Sequence, residues 1–418
     1  MRIKSFVIHY VIRWYVVLGF TLVSFTCFGQ QEIYGLMYTD NSPVRITIQD
    51  GIITGIRKQN RLPKGTPELI IAPGLIDNQV NGFAGVSFCS PDHVLTAQGV
   101  RDATYALWKT GVTTYLPTLT TNDPELIKKN LIVLAHMKDE KNLLGSIPGF
   151  HMEGPYISPV DGYRGTNSLE YISKPEWDKF LEIYEYSMRS ILQVTLAPEL
   201  EGAMDFIDKC RSRGVVVGLG HHNASPVVIS EAVTHGARIA THLGKGLADA
   251  VEAHHNPLWP QLSDDRLMIS MTCDQFSLTP EEIRVFFRVK GSGNTVITSD
   301  VTGFATLPSG EYVSPEGDRI MLTDNGMLRY LNGRVYGSAS PLKDGVANIM
   351  RVTGCTLAEA ITMASTNPAV LYGLSDRGVI EEGKRADLIL FRMVKSEMVI
   401  EKTYVLGNLV YDAVSGEW

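Results

Sequence analysis

Val215-Val216-Val217-Gly218-Leu219-Gly220-His221-His222-Asn223-Ala224-Ser225 is the stretch that decides the fold. An apolar, β-branched run stops abruptly in glycines and histidines, and Ser225-Pro226 then opens a helical pattern. That is the pattern of a buried parallel strand delivering imidazoles to the loop at its carboxyl end. The same grammar recurs at Ile239-Ala240-Thr241-His242, at Gly149-Phe150-His151-Met152-Glu153-Gly154-Pro155 and at Thr295-Val296-Ile297-Thr298-Ser299-Asp300. Four strand ends offering Glu, His, His and Asp have the composition of a metal-hydrolase centre.

Working outward, strand patterns at Leu75–Gln79, Thr113–Thr118, Pro148–Glu153, Gln193–Pro198, Val215–His221, Arg238–His242, Leu267–Thr272 and Thr295–Asp300 alternate with amphipathic helical patterns such as Pro124–Lys138 and Trp177–Ser187. Thr279-Pro280-Glu281-Glu282 reads as a capping box with proline in the first turn, and Thr356 with Glu359 opens another helix. Alternation on this scale predicts an α/β fold, a (β/α)8 TIM-type barrel. A doubly wound sheet is the alternative. The barrel is preferred because polar, metal-capable residues finish strands along the whole segment rather than at one switch point.

Asp50-Gly51 between the alternating runs Val44–Gln49 and Ile52–Ile56 is the strongest hairpin signal. Strand patterns return at Gly378–Ile380, Gly383–Phe391 and Lys402–Tyr411. The two ends of the chain are therefore expected to pair in a small β-sandwich domain into which the barrel is inserted. The expected division is a first β half over 30–72, the barrel over 73–375 and a second β half over 376–418.

The chain has 418 residues and a net charge of -7, which argues against nucleic acid or an anionic membrane as partner. Arg2, Lys4 and Arg13, an apolar run from Trp14 to Val23, and Cys27-Phe28-Gly29 have the layout of a secretory signal peptide cut after Gly29. The apolar run is shorter than the roughly 20 residues a spanning helix needs, and no later run is long enough. The expectation is an exported, periplasmic protein without a transmembrane segment after cleavage. Cys89, Cys210, Cys273 and Cys355 show no Cys-x-x-Cys spacing and read as buried thiols.

Zinc or a similar divalent ion favours imidazole nitrogen and carboxylate oxygen, and a catalytic site leaves one position for water. Glu153, His221 and His242 supply three such ligands from separate strands. Asp300 is placed to take a proton from water and pass it to a leaving nitrogen.

Ala72-Pro73-Gly74-Leu75-Ile76-Asp77-Asn78-Gln79-Val80-Asn81-Gly82, His151-Met152-Glu153-Gly154-Pro155, Leu196-Ala197-Pro198-Glu199, Gly220-His221-His222-Asn223-Ala224, Ala240-Thr241-His242-Leu243 and Thr298-Ser299-Asp300 together resemble N-acetylglucosamine-6-phosphate deacetylase, of the amidohydrolase superfamily. The resemblance runs from about Tyr34 to the end. It implies hydrolysis of the N-acetyl group of an amino-sugar substrate with release of acetate, one divalent ion (Zn2+) on Glu153, His221 and His242, Asp300 as acid/base, and a homodimer. Many amidohydrolases hold a second metal with His-x-His on the first strand. Gln79-Val80-Asn81 stands there, as in the single-metal deacetylases, so Gln79 and Asn81 are expected to line the site.

Three departures lie where the family grips its substrate. Asn167 replaces a histidine that helps polarise the acetyl carbonyl. Leu243-Gly244-Lys245-Gly246-Leu247 replaces Tyr-Asn-Ala-Met, and no arginine follows to reach a partner subunit's phosphate. Gln275-Phe276-Ser277 replaces a segment with a substrate-binding histidine. Lys245 and Arg164 are the cations left to meet an anionic group, and His222, His254 and His255 are expected sugar contacts. The expectation is retained metal chemistry on an unphosphorylated amino sugar or glycan fragment. Other readings are the ordinary phosphosugar deacetylase, an amidohydrolase acting on an N-acyl amino acid or cyclic amide, and an inactive glycan-binding protein.

Overall fold

The structure is a computed structural model and describes residues 30–90, 94–315 and 317–415. The leader expected over 1–29 lies outside the described residues.

Eight strands, Leu75–Val80, Val112–Thr120, Phe150–Glu153, Ile191–Leu196, Val216–Leu219, Ala237–Ala240, Met268–Thr272 and Thr295–Thr298, pair in chain order as one parallel sheet. The helices Ala97–Trp108, Pro124–Lys138, Trp177–Tyr186, Ala203–Ser212, Pro226–His235, Leu258–Ser263, Pro280–Lys290 and Leu342–Thr353 each follow one strand. The sheet closes where Val80 bridges Val301 and the Asn81 N–H donates to the Val301 carbonyl at 2.8 Å. This is the expected (β/α)8 barrel. The strands are buried on both faces because helices cover the outside and side chains fill the inside. Tyr372 plugs the bottom of the barrel against Leu116, Val216, Ile239 and Val296. Its hydroxyl donates to Gln193 Oε1 and accepts from Asn78 Nδ2 at 3.0 Å, so the buried polar atom is satisfied.

Local chemistry starts the helices as expected. Thr279 and Thr356 each accept from the backbone of the glutamate three residues on, which in turn reaches back to the cap, completing both capping boxes.

Both ends of the chain build one seven-stranded sheet. Leu388–Val394 runs antiparallel to Ile70–Pro73, with Leu388 opposite Pro73 and Phe391 opposite Ile70. The Asp50-Gly51 turn forms with both residues at positive φ, and the sheet curls until Ile53 N donates to Lys384 O at 2.9 Å and Ala386 N to Gly51 O at 2.8 Å. It wraps its own core of Ile46, Ile53, Ile71, Leu388 and Leu390. Gly378–Ile380 is not a strand. Gly378 is in the left-handed region (φ 88°), and a Cβ there would lie 2.6 Å from Ala369 Cβ, so the segment is a tight turn against the preceding helix.

One unit was not expected. Gly310–Val313, Arg319–Leu322, Leu328–Tyr330 and Val335–Gly337 form a four-stranded antiparallel sheet between the eighth barrel strand and helix Leu342–Thr353. Its own core holds Ile320, Leu322, Leu328 and Ala339. The signal was present: Asn325-Gly326 and Asn332-Gly333 are hairpin dipeptides, and both glycines are left-handed.

Candidate metal centre

Glu153 is the last residue of the third barrel strand. His221, His242 and Asp300 stand two residues beyond the fifth, sixth and eighth. His221 (φ 53°), His242 (φ 33°) and Asp300 (φ 48°) all occupy the left-handed region that side chains other than glycine rarely adopt. Each such residue costs about 1–3 kcal/mol and persists where surrounding structure over-determines it. Here the bend takes the chain out of the strand's alternation at the barrel mouth. Gly165 (φ 62°) closes over the site, where a Cβ would stand 3.0 Å from His221 Cε1.

The ligating atoms of Glu153, His221 and His242 lie within 4.8 Å of one another. Both imidazoles present Nε2 to Glu153 Oε1, His242 at 2.7 Å and His221 at 3.2 Å. His221 Nδ1 is 2.9 Å from the Tyr163 carbonyl oxygen, an acceptor only, so Nδ1 carries the hydrogen. In the neutral ring Nε2 is then a lone pair facing a carboxylate oxygen. Two acceptors in contact need a positive charge between them, supplied by a metal ion or, without one, by a proton on Nε2. Burial pushes the Glu153 carboxyl up, but His221 and His242 outweigh it and hold the group well below the usual carboxylate range. Burial works against a charged His221, but Glu153 and the Tyr163 carbonyl raise its pKa. Two nitrogens and one oxygen aimed at one buried point fit a catalytic divalent ion, with the backbone carbonyl fixing one ligand's tautomer.

Asp300 is buried, and both its oxygens are held. Asn81 Nδ2 donates to Oδ1 at 2.8 Å, and the Lys245 ammonium donates to Oδ2. Burial opposes the Lys245 charge, yet Asp300, Asp274 and Glu153 outweigh it and raise its pKa, so the ammonium stays protonated.

The remaining expected contacts divide. Asn81, Asn167 and Lys245 line the cavity that opens above the triad. Gln79 does not. It is buried behind the wall, and neither end of its amide has a partner among the described residues. Asn167 turns its amide back to donate to Arg164 O at 2.8 Å, while Arg164 is tied to Asp161 and to Asn167 O. His222 does not line this cavity. It is buried on the other side of the turn, where Nδ1 accepts from Ala224 N at 3.3 Å, and burial lowers its pKa to about 4 despite a hydrogen bond to Gln261. Adjacency to His221 misleads because the left-handed turn sends the two rings apart. His254 and His255 are exposed on the loop before helix Leu258–Ser263, off the cavity wall. Of the thiols, Cys89, Cys210 and Cys273 are buried and Cys355 only partly so.

The cavity holds about 1670 Å³ and reaches from Glu153, His221, His242 and Asp300 to Tyr330, Arg334 and Tyr336 on the unexpected sheet. Sequence reasoning missed that wall, the Tyr163 carbonyl and the Lys245–Asp300 pair. Only the wall had a local signal. No helix among the described residues is long and apolar enough to cross a membrane.

Residues 315–410 match the model of the amidohydrolase family. The N-acetylglucosamine-6-phosphate deacetylase of Vibrio furnissii is 28% identical over 397 residues, 93% of this chain and 96% of the relative. The human protein of the same name is 29% identical over 357 residues, 82% of this chain and 84% of the relative. Among solved structures, N-acetylglucosamine-6-phosphate deacetylase from Thermotoga maritima superposes with a TM-score of 0.80 at 25% identity, covering 92% of this chain and all of the other. The enzyme from Pasteurella multocida gives 0.79 at 25% identity over 91% of this chain and 99% of that chain.

Proposed function

The chain belongs to the N-acetylglucosamine-6-phosphate deacetylase family of amidohydrolases, and from that premise we propose that it is a metal-dependent hydrolase removing the N-acetyl group of an amino sugar as acetate. The observation that carries this is the convergence of Glu153, His221 and His242 within 4.8 Å at the floor of a cavity that Asp300 also lines.

Glu153, His221 and His242 would hold one divalent ion, which we assign as zinc, and that ion would supply a more acidic water and a polarised carbonyl. The Tyr163 carbonyl keeps the His221 Nε2 lone pair facing inward. Asp300 is placed to accept a proton from the water that attacks the acetyl carbon and to return it to the amine nitrogen as the carbon–nitrogen bond breaks. Asn81 and Lys245 fix the two oxygens of Asp300, so the carboxylate meets the substrate already oriented.

The preferred substrate is unphosphorylated. The two cations that sequence offers for a phosphate are paired, Lys245 with Asp300 and Arg164 with Asp161, and the other arginine lining the cavity, Arg334, stands on the exposed tip of the inserted sheet. The leader-like residues 1–29 support the same preference, because export places the enzyme away from intracellular sugar phosphates. The names of the relatives favour a second reading, N-acetylglucosamine-6-phosphate itself. Acetate release from N-acetylglucosamine with and without the 6-phosphate decides between them. A higher kcat/KM on the free sugar is expected, and a strong preference for the phosphorylated one overturns the proposal.

A further inference from the structure

The inserted sheet is anchored at the reacting end of the site. Directly after Asp300, Val301 bridges Ser338, and the Thr302 N–H donates to the Ser338 carbonyl at 2.9 Å. The sheet therefore leaves and re-enters the barrel beside the acid/base carboxylate, and its wall begins there. Moving outward, the wall presents Phe304, then Tyr336 and Tyr330, then Asn332 and Arg334 at the exposed tip of the hairpin joining Leu328–Tyr330 to Val335–Gly337. Phe304 and Tyr336 rings meet at 6.2 Å, and Tyr330 and Tyr336 at 5.3 Å, both edge to face. The aromatics are half-buried and line the cavity. Tyr171 lines it as well, from the loop after the third strand.

Size and chemistry point the same way. The cavity of about 1670 Å³ exceeds the roughly 300–1,000 Å³ of sites that enclose one small ligand. A row of aromatic side chains ending in an amide and a guanidinium matches sugars in sequence. Pyranose C–H faces pack on rings, and hydroxyls bond to planar polar side chains.

We propose that the cleft takes a neutral amino-sugar oligosaccharide, with the N-acetyl unit at the triad and the neighbouring sugars along Phe304, Tyr336, Tyr330, Asn332 and Arg334. This rests on the deacetylase reading and sets its substrate class as a chain rather than a single sugar.

Oligomers of N-acetylglucosamine from one to five units test it, by acetate release from the wild type and by calorimetric binding to the Asp300→Asn protein. Both kcat/KM and affinity are expected to climb with length. Tyr336→Ala should lose about 10-fold on the tetramer and threefold or less on the monomer. Because Tyr336 also packs within the sheet, the exposed-tip double variant Asn332→Ala/Arg334→Ala gives the same comparison without touching the core. Length dependence that vanishes in either correctly folded variant supports the proposal. If monomer and tetramer are hydrolysed and bound equally well, as when a second copy of the chain covers this wall, the chain-substrate proposal falls and the deacetylase reading stands. If no oligomer releases acetate but the Asp300→Asn protein binds the tetramer more tightly than the monomer, the deacetylase reading falls and the cleft assignment survives. If neither release nor length-dependent binding is seen, both fall.

Discussion

The floor and the outer wall of the cleft are built differently. The floor is made of strand ends. Glu153, His221, His242 and Asp300 are largely buried, three of the four hold left-handed backbone, and their side chains bond to one another, to a main-chain carbonyl or to a half-buried lysine. The outer wall is a small sheet with its own four-residue core and an exposed tip at Asn332 and Arg334. A floor set on rigid strands fixes the reaction. A wall set on an insertion can be re-tuned without moving the floor, and Asn167, Lys245 and Ser277, where the sequence departs from the pattern it resembles, lie on loops facing the same cavity.

The contrast predicts a descending scale of effects. Asp300→Asn should lower kcat by about 10³-fold while metal content and melting temperature stay near wild type. An equal loss of bound metal would mean that Asp300 belongs to the ligand set. Lys245→Met should lower kcat about 10–100-fold, the range of one charge-assisted hydrogen bond. Steady-state kinetics with a circular-dichroism check separate this from misfolding, and an unchanged kcat would reduce the Lys245–Asp300 pair to packing.

A third prediction concerns stability in the metal-free protein. His151 and His222 are buried, and burial lowers each pKa to about 4 from an ordinary 6.5. Both are bases with depressed folded values, so the unfolded chain takes up protons first as pH falls. Their contribution is complete above pH 6.5 and drains away toward pH 4. Thermal melts should fall by several degrees across that window, and His222→Gln should flatten part of the slope. A melting temperature constant from pH 6.5 to 4 would contradict their neutral burial. The smallest effect belongs to the wall side. Asn167→His should change kcat/KM by less than about threefold, the size of a substitution that removes no contact to the reacting groups, because the Asn167 amide at the cavity lining is turned back to the Arg164 carbonyl. A large gain would show that this loop reaches the acetyl carbonyl after all.

Local grammar made much of the molecule readable before any coordinates. Val216–Leu219 is a strand because its β-branched run has no polar interruption, and the abrupt Gly220-His221 ending marks where it meets the mouth. Asp50-Gly51 and both capping boxes are likewise short-range signals that fold as read. What escaped depends on pairs distant in sequence or on turns whose handedness residue type does not reveal. Lys245 and Asp300 are 55 residues apart, so nothing near either one announces the ion pair. His222, next to His221 in sequence, reads as a sugar contact, but a left-handed residue breaks the strand's alternation at that point. The inserted sheet has strands of three and four residues, too short to show period-two alternation. Its two Asn-Gly turns were the only local notice.

The account stands or falls on a cation held jointly by Glu153, His221 and His242. X-ray absorption at the metal edge of the purified protein, with metal analysis of wild type and His242→Ala, measures this directly. The predicted result is one divalent ion per chain with two imidazole nitrogens and a carboxylate oxygen at about 2.0–2.2 Å, lost from the variant. A protein with no stoichiometric metal, or with metal whose coordination keeps both imidazoles when His242 is gone, contradicts it.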